Sequence, residues 1–212
     1  MPSIGGCALL HSDPWLLVVE KPAGLLTQPG LGPALADSLI SRLQLEEPGL
    51  RLIHRLDRDT SGLLLVARSA EALSAFSTAF AQRCVHKLYV ADVWGAPPAG
   101  SGVVDDPLAR LQRSPPRYGP HPQGRPSRTR WRCAAGLEGG RRLWLQPLTG
   151  RSHQLRAHLA ALGCPIQGDP IYAGAGQLLS RERMHLHATA LSLRHPFSGE
   201  RLRCRSGVPF EL

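Results

Sequence analysis

His54-Arg55-Leu56-Asp57-Arg58-Asp59-Thr60-Ser61-Gly62-Leu63-Leu64-Leu65-Val66-Ala67 carries a charged loop directly into an apolar run. LLLVA shows no polar alternation, so Leu63 to Ala67 is expected to be a strand buried on both faces. Such a strand needs partners on either side. Working outward, WLLVV (Trp15 to Val19) supplies one strand, ended by the turn Lys21-Pro22-Ala23-Gly24. A short helix around Ala34 to Leu43 follows it. Beyond the apolar run, Ser69 is placed to cap a helix reaching about Arg83, with Ala72, Leu73, Phe76 and Phe80 on one stripe.

Further along, LYVADVW (Leu88 to Trp94) alternates as a strand should. Gly95 to Pro126 holds 13 Gly or Pro residues in 32, which predicts a large functional loop or linker without long regular elements. Two strands are expected near Thr129 to Cys133 and Arg142 to Gln146. A helix from about Ser152 to Leu162 comes next, closed by Gly163 as a left-handed cap. LHATALSL (Leu186 to Leu193) and RLRCR (Arg201 to Arg205) read as a hairpin joined through His195 to Gly199. Strands with interspersed helices and no regular βαβ rhythm predict an α+β fold, its sheet mixed and mainly antiparallel. At 212 residues a single domain spanning residues 1–212 is expected.

Composition excludes several classes. Hydrophobic residues at 42% and charged residues at 19% describe an ordinary globular chain, not a disordered tail. Apolar runs are too short for a transmembrane helix, and MPSIGGCALLHSDPW does not read as a signal peptide, so a cytoplasmic location away from membranes is expected. Cys7, Cys84, Cys133, Cys164 and Cys204 are scattered and odd in number, which argues against a disulfide framework or a zinc ribbon. Charge is more informative. The net charge is +9, and residues 107–156 alone hold eleven arginines against one acid, Glu138. Such a concentrated field suits a polyanion such as a nucleic acid.

Three segments hold the candidate chemistry. In the opening loop, Asp57 and Asp59 lie among His54, Arg55 and Arg58; the spacing also suits a polar loop held by Asx and Thr-Ser turns. Around Thr149-Gly150-Arg151-Ser152-His153-Gln154-Leu155-Arg156-Ala157-His158, a helix start beside Arg151 would make an anion site, or Arg151 and Arg156 are solvated charges. His86-Lys87-Leu88-Tyr89 places Lys87, Tyr89 and Ala91 on one strand face, where Tyr89 either stacks on a base or packs in a core. His153 and His158 miss the HxxxH register of a zinc helix, and His185 with His187 lacks a nameable third ligand, so no metal is expected. Phosphate-loop, dinucleotide and nucleophile-elbow templates are missing.

HRLDRDTSGLLLVAR, preceded by VVEKPAGLLTQPG and followed by HKLYVADVWG, TGRSHQLRAHLAALGCPIQGDPIYA and RMHLHATAL, resembles the RluA-type pseudouridine synthases from about Trp15 to Leu193. The resemblance implies isomerisation of a uridine within RNA, with no cofactor and no metal, by a single-domain enzyme lacking the small N-terminal RNA-binding domain of larger relatives. Asp57 matches the catalytic aspartate, as nucleophile or base. Tyr89 matches the tyrosine that stacks on the target base, Arg156 the arginine that pairs with the aspartate, and Leu186 an apolar residue of the pocket floor. Arg55 matches an arginine that fills the place of the flipped base. Arg58 is expected to hold phosphate and Arg151 to bind substrate, while His54 and Thr60 keep the loop in shape. Arg110, Arg113, Arg117, Arg125, Arg128 and Arg130 are expected to clasp the RNA backbone. VWG, GRPSRTRW and the compact length most resemble the single-domain branch of the family, and that resemblance implies a tRNA anticodon loop, a 23S rRNA hairpin, or both as substrate, and a monomer. Two alternatives stand beside it: an RNA-binding or RNA-folding module without catalysis, and a metal-dependent nuclease using Asp57 and Asp59.

Overall fold

The computed structural model describes residues 2–174 and 182–210. In chain order the elements are β1 (Ser3–Ile4), β2 (Cys7–Ser12), β3 (Leu16–Lys21), α1 (Leu39–Glu46), β4 (Arg51–Leu52), β5 (Ser61–Ala67), α2 (Ala70–Ala81), β6 (His86–Trp94), β7 (Ser101–Val104), β8 (Leu108–Gln112), β9 (Arg117–Pro120), β10 (Thr129–Leu137), β11 (Gly140–Pro147), α3 (Gln154–Ala161), β12 (Leu186–Arg194) and β13 (Arg201–Arg205). The fold is α+β. Its residues gather into two compact units, Met1–Lys87 with Ala188–Gly207, and Leu88–His187 with Val208–Leu212. Among the described residues no helix is long and apolar enough to cross a membrane.

In the first unit the strand order is β1-β2-β3-β5-β12, with β4 beside β5 and β13 beside β12. β3 and β5 are antiparallel, with Leu16 opposite Ala67 and Lys21 opposite Gly62. All seven residues of β5 are buried, as the apolar run required. Leu63, Leu65 and Ala67 pack against Ala72 and Phe76 of α2, and Leu64 and Val66 are equally inaccessible. The Ser69 hydroxyl caps α2 by accepting the Ala72 amide at 3.0 Å. Gly62 sits at φ +113°, and a Cβ there would lie 2.4 Å from the Ala188 carbonyl oxygen. Only glycine permits β5 and β12 to approach so closely.

Two expectations need correction here. The helix expected over Ala34 to Leu43 is a short 3₁₀ turn at Pro33–Leu35 followed by α1, which starts at Leu39. Asp37 and Ser38 break it because such side chains favour caps over helix interiors; the Ser38 hydroxyl accepts the Ser41 amide at 3.2 Å. Trp15 also does not open the first strand, since β1 and β2 precede it and β2 pairs with β3. A two-residue strand and a strand ending in His11-Ser12 carry too little periodicity to be seen in sequence.

In the second unit the order is β6-β11-β10-β7, antiparallel throughout, with β8 and β9 as a separate ribbon. The Gly/Pro-rich stretch is therefore not a plain loop. It folds because Leu108 and Tyr118 find an apolar seat on Ala157, Ala160, Ile171 and Tyr172, and its strands stay short, as prolines demand. The predicted end of α3 holds: Gly163 has φ +75°. Asp92, 1% exposed, ties the C-terminal segment to the sheet. It accepts Arg142 Nε at 2.7 Å, Arg142 Nη2 at 2.9 Å and His185 Nδ1 at 3.0 Å, while Arg142 also donates to the Phe210 carbonyl at 3.0 Å. Burial alone would raise the Asp92 carboxyl, but Arg142 and His185 outweigh it and hold it below its ordinary value.

Candidate active site

The loop between β4 and β5 is gripped by its main chain on both sides of Asp57. Before it, Leu56 donates its amide to Thr27 Oγ1 at 3.2 Å, and the same hydroxyl donates back to the Leu56 carbonyl at 2.7 Å. After it, the Arg58 carbonyl accepts Lys21 Nζ at 2.8 Å and the Gly24 amide at 2.9 Å. Lys21 has no exposed surface, and its ammonium also donates to the carbonyls of Pro22 and Leu25, both at 2.7 Å. Three donors meet three acceptors, which is what makes a buried ammonium tolerable. The Thr60 amide closes the turn onto the Asp57 carbonyl at 3.2 Å.

His54 holds the loop from below. Its Nε2 accepts the Leu65 amide at 3.0 Å, which fixes the other nitrogen as the protonated one, and the ring stacks on Phe80 with centroids 4.8 Å apart. Burial, helped by the charge of Lys87, lowers its pKa to about 3, so it is neutral. In this state the imidazole braces the loop against β5 and Phe80. Arg55 and Arg58 lie exposed on the loop. Arg58 donates to Asp59 at 3.0 Å, so Asp59 is occupied by its neighbour.

In the second unit Arg156 is only 3% exposed. Its guanidinium donates Nε and Nη2 to the two carboxylate oxygens of Asp169, at 2.7 and 2.9 Å. Asp169, with no exposed surface, also accepts the amides of Ile171 at 2.9 Å and Tyr172 at 3.1 Å. The Tyr172 ring lies 5.3 Å from the Arg156 guanidinium carbon. A planar fork held along one edge by a carboxylate and over one face by a ring has little orientational freedom. Sequence reasoning passed over Asp169, although it stands in the GDPIYA stretch just after Arg156.

The rest of TGRSHQLRAH is a relay of directed bonds. The Arg128 amide donates to Thr149 Oγ1 at 2.8 Å, and that hydroxyl donates to Gln154 Oε1 at 2.7 Å. Gln154 Nε2 donates to the Arg128 carbonyl and to Thr129 Oγ1, each at 3.0 Å. The Asp106 carbonyl can only accept, so His158 carries its proton on Nε2, at 3.0 Å, and its Nδ1 accepts the Thr129 hydroxyl at 2.9 Å. Burial lowers the His158 pKa, in keeping with that neutral state. The helix opens two residues later than Ser152, because His153 takes the left-handed conformation at φ 53°. Arg151, exposed, donates its amide to Gln154 Oε1 at 3.0 Å and its Nε to the Pro126 carbonyl at 3.2 Å.

Tyr89 is 9% exposed on β6, opposite Leu145, and Leu186 is 3% exposed at the start of β12. The eight expected site residues thus fall into two groups. His54, Arg55, Asp57 and Arg58 share one loop of the first unit; Tyr89, Arg151, Arg156 and Leu186 belong to the second. The histidines weighed as metal ligands are otherwise engaged: His185 serves Asp92, and His187, wholly buried, has a pKa lowered to about 4 chiefly by burial. Among the described residues no group of three or more His, Cys, Asp or Glu is placed to hold a metal ion.

The family model described as RNA pseudouridylate synthase matches residues 15–161, a span that contains the pinned aspartate loop, Tyr89 and Arg156. The chain belongs to this family. It is 42% identical over 196 residues to the dual-specificity RNA pseudouridine synthase RluA of Vibrio vulnificus (strain CMCP6), covering 90% of this chain and 78% of that protein. It is 39% identical over 204 residues to the RluA protein of Salmonella typhi, covering 95% and 93%. Among solved structures, human RNA pseudouridylate synthase domain containing 1 superposes with a TM-score of 0.82 at 29% identity, over 100% of this chain and 87% of that one. This chain is an RNA pseudouridine synthase, and its fold is that of the pseudouridine synthases.

Proposed function

We propose that this synthase isomerises selected uridines in a tRNA anticodon loop, a 23S rRNA hairpin, or both, with Asp57 as the catalytic carboxylate. The C1′–N1 glycosidic bond breaks and a C1′–C5 bond forms; the C5 proton leaves and N1 takes one up, so the reaction balances without a cofactor. Asp57 acts as a nucleophile or as a base at the sugar. Tyr89 stacks on the uracil and assists removal of the C5 proton, and Leu186 floors the pocket. Arg156 supplies the positive charge against which the carboxylate works. Its bond to Asp169 supports that role, because an oriented guanidinium loses no entropy on meeting its target. A stacked uridine must leave its stack at a cost of a few kcal/mol, and Arg55 fills the vacated place. Arg58 and Arg151 engage phosphates, and His54 supports the loop. The enzyme works as a monomer in the cytoplasm and needs no metal.

The observation that carries this reading is the pinning of Leu56 and Arg58 by buried Thr27 and Lys21, which fixes where the Asp57 backbone presents its side chain. Carbodiimide-resistant uridine adducts mapped across total RNA, with and without the protein, test it. New adducts at discrete tRNA or 23S rRNA uridines, insensitive to EDTA, are expected. No new adduct despite RNA binding would indicate a non-catalytic module, and chelator-sensitive strand cleavage would indicate a nuclease.

A further inference from the structure

The sheet of the second unit has two faces with different fates. Thr129 and Trp131 of β10 are buried on the side where Thr129 meets α3. Arg130 and Arg132, alternating with them, are exposed on the other side. Register places Arg132 beside Trp144 of β11 and Arg130 beside Gln146, with Val103 of β7 next to Arg130. These side chains and Leu88 line a groove of about 620 Å³, and no carboxylate is among its lining residues. Val103 is 48% exposed. Among the described residues no acid pairs with Arg130 or Arg132. Leu88 and Tyr89 are consecutive on β6, so the groove lies on the pleat face opposite Tyr89.

We infer that this groove is a second RNA-contacting surface, which seats an unpaired nucleotide of the substrate RNA away from the modified uridine, on the sheet face that Tyr89 does not share. It rests on the reading that RNA is the substrate, and it adds a subsite outside the residues assigned to the reaction. Trp144 offers an indole face for a base, as aromatic side chains on an open antiparallel sheet do for single-stranded RNA. Arg130 and Arg132 flank the indole and neutralise the phosphates on either side of that base, and the Gln146 amide can bond a base edge. Duplex RNA cannot use the site, because its bases are already stacked on one another. Charge complementarity selects the occupant: a groove bearing two exposed arginines and no lining acid, in a segment with a local balance of +10 over residues 107–156, suits a polyanion better than a second copy of this basic chain.

The test uses the full chain and a fluorescently labelled 12-nucleotide oligouridylate carrying one 4-thiouridine. Wild-type protein should bind it, crosslink through Trp144 or its β11 neighbours on irradiation, and lose it to unlabelled single strands but not to a duplex. Exchanging both Arg130→Gln and Arg132→Gln, at exposed positions that leave the fold intact, should weaken binding at least tenfold and reduce the salt slope by about 2. Trp144→Ala should weaken it about tenfold, and Trp144→Phe should restore most of that loss because a phenyl ring still stacks. Unchanged affinity in the double variant, or crosslinks confined to other strands, would overturn the inference. So would a dimer, seen by sedimentation equilibrium, that dissociates in Trp144→Ala without any change in oligouridylate affinity. Pseudouridine formation by the wild-type chain is followed in parallel. Product without a groove effect sinks the groove alone, whereas groove binding without product sinks the catalytic reading and leaves the groove standing.

Discussion

Around Asp57 the holding groups grip the main chain, with Thr27 on Leu56, Lys21 and Gly24 on the Arg58 carbonyl, and His54 on the adjoining strand β5. Around Arg156 they grip the side chain, with Asp169 on two edge nitrogens and Tyr172 over the guanidinium. The difference separates two kinds of candidate site residue. A side chain presented by a fixed backbone can be exchanged chemically while its scaffold stays in place. A buried charge bonded through its own head group cannot, because its removal strands the partner.

Several substitutions break or sharpen that contrast. The largest expected effect is at Gly62, where the aspartate loop joins β5. Gly62→Ala drives a Cβ into the Ala188 carbonyl and should cost about 4 kcal/mol or more in urea unfolding, with loss of activity. Asp169→Ala leaves the Arg156 guanidinium buried and without its carboxylate, and frees two amides. A loss of about 3 to 5 kcal/mol is expected, and Arg156→Gln should match it. If either variant melts like the wild type, the side-chain grip is wrong. Lys21→Met, which removes a donor from three carbonyls, should cost about 1 to 3 kcal/mol. In surviving folded protein it should lower turnover more than RNA affinity, because it loosens the main chain that presents Asp57 while most of the basic RNA-facing side chains stay in place.

A more gradual effect is in the pH dependence. His54 and His187 are neutral in the fold, with pKa values lowered to about 3 and about 4 from 6.5. Between those values and 6.5 the unfolded chain binds protons that the fold refuses, so stability rises with pH across this window and is lost as pH falls from about 6.5. Each histidine contributes a slope of up to about 1.4 kcal/mol per pH unit. Asp13 and Asp92, both lowered, add a loss of the same sign only below the ordinary carboxylate range. Urea midpoints measured from pH 7 to pH 4.5 should fall steadily, and His54→Gln should flatten part of the slope. A midpoint independent of pH would contradict the neutral His54 assigned from its bond to Leu65.

Much of this fold was legible because its signals are local. Leu63 to Ala67 has no polar residue to turn outward, and Ser69 precedes an apolar stripe at helical spacing, so β5 and α2 were readable. β1 and the β8-β9 ribbon were not, since a two-residue strand has no period and the ribbon forms only because Tyr118 and Leu108 find Tyr172 and Ala157 far along the chain. The candidate site divides the same way. Asp57, Tyr89 and Arg156 were visible through motif resemblance, and Gly62 stood inside the motif. Lys21 looked like a turn residue, because nothing in LVVEKPAG announces that three carbonyls converge on its ammonium. Asp169 was overlooked because an acid thirteen positions beyond an arginine has no helical or strand spacing to link them. In both cases the signal was a charged residue in a stretch otherwise destined for the interior.

Single-turnover pseudouridine formation by Asp57→Asn, with RNA affinity measured on the same preparation, tests the central assignment most directly. The backbone grip predicts an intact fold, RNA affinity within about twofold of wild type, and no product above a rate at least about a thousandfold below it. Turnover at the wild-type rate would show that the pinned loop presents something other than the catalytic group.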